Sequence, residues 1–257
     1  MKAQIHTIPI HDALENAGEC PFCYIERRTE EHAMNYVLGH GASYMEADIR
    51  EMTDKEGFCR SHYKKMFDYG NALGNAWILK THYRKMIDEM NKEFKNFKPG
   101  KPVKKGFFDK PTVSDSSSSN SIVSWIKEKE SSCFICNMVQ STFEAYLKTF
   151  FSMYSKDADL RQKFMQSKGV CLSHFAVLLE GVDTYLRPAE QEAFYETFLP
   201  LMSSNMERIY EDVAWFIEKY DYKNKDADWK DSKDAVQRGM QKLKGCDPSL
   251  PTIQLKR

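Results

Sequence analysis

Cysteine and histidine recur at one spacing in four short stretches of this sequence. "GECPFCYIE" offers Cys20 and Cys23, and "GFCRSHY" offers Cys59 and His62. "SSCFICNMV" offers Cys133 and Cys136, and "GVCLSHF" offers Cys171 and His174. Each stretch sets two soft donors three positions apart. Thirty-five residues lie between Cys23 and Cys59 (24–58), and thirty-four between Cys136 and Cys171 (137–170). Both second halves read glycine, apolar, cysteine, any residue, serine, histidine, aromatic. Six of the 7 cysteines enter this scheme, and Cys246 stands outside it. A lone CxxC is common, but a matched CxxC and CxxH that recur at nearly the same separation point to a tandem duplication. The expectation is one Cys3His set per copy: Cys20, Cys23, Cys59 and His62 in the first, Cys133, Cys136, Cys171 and His174 in the second.

Three thiolates and an imidazole are donors that tetrahedral Zn²⁺ favours. Four protein ligands close the coordination sphere, which suits a structural rather than a hydrolytic metal. Two zinc ions per chain are expected. Gly57 and Gly169 relieve crowding where the chain turns under the metal. The second half of each set falls at a helix start, where backbone amides favour thiolate charge. Two rivals use the same residues. "CPFC" resembles the active-site dipeptide of glutaredoxin-like oxidoreductases, but no thioredoxin-type strand pattern surrounds it. An iron–sulfur cluster also accepts three cysteines and a histidine. Haem attachment is excluded, because Tyr24 and Asn137 stand where CxxCH needs histidine.

The elements that must position these donors read as helices, giving an all-α fold of two similar units. Tyr24 to Leu38 follows the first CxxC without Pro or Gly. Met45, Ile49 and Met52 fall on a helical stripe. Leu73, Trp77, Tyr83, Ile87, Met90 and Phe94 read as one face of a longer helix. In the second copy, Phe143, Tyr146 and Phe150 belong to a first helix, and Leu160 and Phe164 to a second. Phe175, Leu178 and Leu179 follow the CxxH. A long helix starts at Pro188, with a kink or break expected at Pro200. His6 to Ile10 is the best extended candidate, though Pro9 disfavours a central strand. Ser232 reads as an N-cap, with Val236, Met240 and Leu243 as an apolar stripe, Gly245 as the stop, and Trp229 as an anchor.

Composition shifts suggest boundaries: a first repeat over 1–97, a linker over 98–121, a second repeat over 122–222, and a tail over 223–257. The linker is rich in Lys, Pro, Gly and Ser and reads as a tether. Its Lys98, Lys101, Lys104, Lys105 and Lys110 offer a route to phosphates. Phe107 and Phe108 read as points that pin it to a unit.

Bulk properties narrow the function. The 257 residues carry 37 basic and 37 acidic side chains, so global charge argues for a protein partner over nucleic acid. No run approaches the roughly 18 apolar residues of a membrane span. No secretory signal is visible, and seven cysteines without a disulfide framework fit a cytoplasmic, reducing setting. Walker, Rossmann and Gly-x-Ser-x-Gly motifs are absent. Glu26, Glu30, Glu31 and His32 share one helix, but the Glu-x-x-His of a diiron site is missing, with Thr29 in the way. His6, His11, His32, His40 and His82 read as surface or packed residues. The first reading is a non-enzymatic, zinc-stabilised interaction or regulatory module. The alternative is a thiol or metal redox sensor, or an iron–sulfur protein, built on the same clusters.

"IHTIPIHDALENAGECPFC", "GFCRSHY" and "DADWKDSKDAVQRGMQKL" together resemble an uncharacterised bacterial family, domain-of-unknown-function family 6062. The resemblance spans nearly the whole chain. It implies no activity, and it marks the cysteine motifs and the tail as family features.

Overall fold

Polar caps and apolar periodicity divide the chain into helices. Asn71, Asn120 and Asp157 each accept backbone N–H groups of a first turn, so α-helices start behind them. The computed structural model describes residues 7–16, 18–98 and 120–246. Its helices are α1 (Ile8–Asn16), α2 (Pro21–Leu38), α3 (Ala47–Glu56), α4 (Arg60–Tyr69), α5 (Ala72–Asn96), α6 (Ser121–Ser131), α7 (Phe134–Lys156), α8 (Ala158–Met165), α9 (Leu172–Tyr185), α10 (Pro188–Glu218) and α11 (Ala235–Lys244). No strand occurs among the described residues. His6, Lys101, Lys104, Lys105, Lys110, Phe107 and Phe108 lie outside them.

Two compact units form, and they do not follow the boundaries expected from the sequence. One comprises Met1–Thr29 and Ser141–Arg257, the other Glu30–Gln140. Both divisions fall inside helices, α2 and α7. The first unit is built on aromatics. Phe150, Phe164, Phe194 and Phe198 are fully buried, and the rings of Phe194 and Phe198 lie 4.9 Å apart. The second unit buries Met34, Leu38, Phe58, Met66, Ile78 and Phe134.

Several expectations change. The extended reading of His6–Ile10 gives way to α1, where Pro9 sits in the first turn and loses no intrahelical bond. Pro200 lies inside α10 without ending it. Ile49 is buried, but Met45 and Met52 are nearly half exposed. On α5, Leu73, Tyr83, Ile87 and Phe94 are exposed, and only Gly74 and Ile78 are buried. The tail helix starts at Ala235, and Ser232 donates its hydroxyl to the Trp229 carbonyl in the turn before it. Val236, Met240 and Leu243 are exposed, while Ala235, Arg238, Gln241 and Lys242 form the buried face. Gly245 ends the helix at φ 91°, as its position suggests.

That polar face has a counter-charge. Glu19, 1% exposed, precedes the first ligand cysteine. The Arg208 guanidinium donates to its Oε2, the Arg238 guanidinium lies 3.6 Å from Oε1, and Lys242 Nζ lies 3.9 Å from Oε2. Lys242 also donates to the carbonyls of Glu19 and Lys168. The network thus ties α10 and α11 to the segments entering both halves of the ligand cluster in this unit.

Candidate metal centres

Each pair of donors occupies the same two positions of a helix start. Cys59 and Cys171 are the cap residues of α4 and α9, with φ, ψ of −72°, 165° and −73°, 163°. Their carbonyls accept the N–H groups of Tyr63 and Phe175. His62 and His174 stand three residues on, where a side chain reaches back toward the cap. Gly57 and Gly169 precede them at φ 62° and 68°, a region that favours glycine. The CxxC halves use the same device. Cys20 and Cys133 stand immediately before α2 and α7, and Cys23 and Cys136 lie at the third helical position. Pro21 takes the first position, which suits its missing N–H. The Cys136 N–H points to Cys133 Sγ at 3.5 Å, so the cysteine sulfur acts as the cap. Four helix N-termini therefore supply all eight donors.

The donors meet in two groups of four: Cys20, Cys23, Cys171 and His174, and Cys59, His62, Cys133 and Cys136. This corrects the expectation of one set per copy. Cys20 and Cys23 meet the later CxxH, Cys171 and His174, and Cys133 and Cys136 meet the earlier one, Cys59 and His62. Within each group the donor atoms lie within 4.8 Å of one another. In the first, His174 Nδ1 is 3.5 Å from Cys20 Sγ, 3.5 Å from Cys23 Sγ and 3.2 Å from Cys171 Sγ. Cys23 and Cys171 Sγ are 3.6 Å apart. In the second, His62 Nδ1 is 3.2 Å from Cys59 Sγ, 3.3 Å from Cys133 Sγ and 3.4 Å from Cys136 Sγ. Cys59 and Cys136 Sγ are 3.9 Å apart.

Both imidazoles present Nδ1 to the sulfurs, and a carboxylate fixes the other nitrogen. His62 Nε2 lies 2.9 Å from Glu30, which Lys65 also contacts. His174 Nε2 lies 3.3 Å from Glu26. Such a partner orients a ligating ring and raises its basicity. Sequence reasoning missed this role for Glu26 and Glu30, having weighed both only as iron ligands. The available signal was their place on α2, one and two turns beyond Pro21–Cys23.

The groups differ in exposure. The first is buried throughout, with Cys171 at 0% and His174 at 4%. Cys246, outside the sequence scheme, directs its backbone N–H to Cys23 Sγ at 3.3 Å. In the second group Cys136 is exposed and Cys59 partly so.

Crowded donors set the protonation. Burial alone would lower His62, but hydrogen bonds to Cys133 and Glu30 outweigh it and raise it to about 10. His174 rises to about 12, with Cys171 and Cys20 outweighing burial. Burial would raise the Cys59 thiol, but Ser61 and His62 bring it down to about 6. Burial and Cys133 push Cys136 up to about 12. The raised imidazoles stabilise the metal-free fold fully below their ordinary 6.5 and lose that contribution as pH climbs through about 10 and 12. The depressed Cys59 works in reverse: its contribution is present above 9.0 and is lost as pH falls through about 6. A metal on Nδ1 must displace the imidazolium proton, and one on Cys136 its thiol proton. Adding Zn²⁺ to chelator-stripped protein at neutral pH is therefore expected to release protons, and binding weakens on acidification. Calorimetry in two buffers of different ionisation heat checks this, and a buffer-independent heat would contradict it.

Two donor groups that can each hold a metal ion thus stand on helix starts of an all-α fold. Neither a curated protein nor a solved structure matches it. The model of the family of unknown function DUF6062 matches residues 1–249, and the chain belongs to that family.

Proposed function

We propose that both donor groups hold structural Zn²⁺, and that the protein is a zinc-stabilised helical module acting by interaction or regulation rather than by catalysis. The spacing of the donors carries this reading. Zn–S bonds of about 2.3 Å and Zn–N of about 2.0–2.1 Å in a tetrahedron demand S···S of roughly 3.8 Å and S···N of roughly 3.5 Å. Cys23 and Cys171 Sγ stand 3.6 Å apart, Cys59 and Cys136 Sγ 3.9 Å, the S···N separations run from 3.2 to 3.5 Å, and no donor pair exceeds 4.8 Å. Four protein ligands fill such a sphere and leave no position for substrate. A polynuclear iron–sulfur cluster sets bridging sulfides between its irons and spreads its ligands wider, so 4.8 Å favours a single ion. The free cysteines fit a reducing, cytoplasmic setting.

A protein partner suits the balanced charge and the exposed Tyr83, Ile87 and Phe94 of α5 better than a nucleic acid does. Elemental mass spectrometry on untagged, anaerobically purified protein tests the metal. About two zinc per chain without colour is expected. Iron with a brown charge-transfer band would replace this reading with the redox one.

A further inference from the structure

We infer that Cys136 is a modification site for hydrogen peroxide, that Cys59 resolves the oxidised sulfur, and that this reaction discharges the second metal site alone. The inference rests on the zinc reading and adds a regulated chemistry to one of its two sites.

The two sites share donors and helix positions, so their surroundings decide their reactivity. Peroxide has no route to the first. Cys20, Cys23, Cys171 and His174 are each at most 4% exposed. A β-carbon placed on Gly245 would lie 3.5 Å from Cys23 Sγ and 3.8 Å from Cys171 Sγ, so the chain end of α11 covers these sulfurs closely. The second site shows Cys136 to solvent. A zinc-bound thiolate keeps its nucleophilic lone pairs, and susceptibility to oxidation follows thiolate character and access. Cys59 Sγ, itself partly exposed, stands 3.9 Å away. The remaining thiol, Cys133, is 3% exposed and is held by the Cys136 N–H and by His62.

The chemistry balances with peroxide as the only oxidant. The Cys136 thiolate attacks one peroxide oxygen, an S–O bond forms, the O–O bond breaks, and hydroxide leaves. The transferred oxygen keeps its hydrogen, so the product is the Cys136 sulfenic acid. The Cys59 thiolate then attacks the Cys136 sulfur, an S–S bond forms, the S–O bond breaks, and a second hydroxide leaves. Two protons taken from solvent complete two waters. Two thiolates have given up two electrons and two of the four metal ligands. The ion left on Cys133 and His62 dissociates.

The test uses the full-length wild-type chain with its zinc content measured first. Substoichiometric peroxide is added with a chromogenic zinc chelator present, and free thiols are then alkylated and mapped by mass spectrometry. Loss of one of two zinc ions, a Cys59–Cys136 disulfide, and Cys20, Cys23 and Cys171 still protected are expected. Dithiothreitol with added zinc should restore the second ion. A two-zinc protein that loses both ions together, oxidises first at Cys23 or Cys171, or forms a Cys133–Cys136 disulfide overturns the inference and leaves the zinc reading standing. A protein that never contained zinc overturns both.

Discussion

With both donor groups zinc-loaded as proposed, Cys171→Ser is expected to cost the protein one of two metal ions and to expose cysteines far away in the sequence. Its partners are Cys20 and Cys23, some 150 residues earlier, and not Cys133 and Cys136, the pair nearer to it in sequence. In a native alkylation experiment Cys20 and Cys23 become reactive while the buried Cys133 stays protected. Structural zinc sites contribute about 10–16 kcal/mol in apparent binding free energy. That matches or exceeds the roughly 5–15 kcal/mol by which a domain is stable. Amide protection should therefore collapse across Met1–Thr29 and Ser141–Arg257 and persist in Glu30–Gln140. Cys59→Ser gives the mirror result, loosening Glu30–Gln140 and exposing Cys133. A reactive Cys133 in the Cys171 variant would restore the pairing first expected from the sequence.

Glu19→Ala is expected to destabilise the first unit by about 3–5 kcal/mol, because it strands buried cations rather than removing a surface pair. Arg238 and Lys242, 6% and 1% exposed, lose the carboxylate that faces them, and Arg208 loses its partner. Arg238 keeps Asp212 at 2.9 Å and Asp234 at 2.7 Å, so Lys242 is the group left most exposed to the loss. Denaturant titration measures the change in the zinc-loaded protein. Adding Lys242→Met should recover part of it, since an apolar stem fits where an unpaired ammonium does not. A loss under about 1 kcal/mol would place Glu19 among ordinary surface ion pairs.

The eight donors were legible in the sequence because each half-site is local. A cap residue and the third helical residue share one face, so CxxC and GxCxxH at a helix start encode two converging donors within four positions. The pairing of the halves was not legible. Either pairing gives three cysteines and a histidine around each ion, so ligand chemistry cannot tell them apart, and only long-range packing does. The helices followed from capping and periodicity, with Pro188 and Gly245 marking ends that the structure keeps. The tail was misread for a physical reason. Val236, Met240 and Leu243 make the apolar stripe, but the stripe through Ala235, Arg238 and Lys242 turns inward because Glu19 waits there. Hydrophobic periodicity is silent about a buried acid two hundred residues away.

The crossed ligand sets also impose an order of synthesis. In sequence the second site, Cys59 to Cys136, is nested inside the first, Cys20 to His174. A nascent chain can close the inner site once Cys136 has left the ribosome, and the closing of the outer one must wait for Cys171 and His174. At about 5–20 residues per second, Cys20 and Cys23 spend on the order of 10–30 s as a finished half-site without its other half. The inner site can fold as a unit during that interval. The more buried donor group is therefore the last to be completed, and its earliest-made thiols are the ones left longest in need of a reducing surrounding.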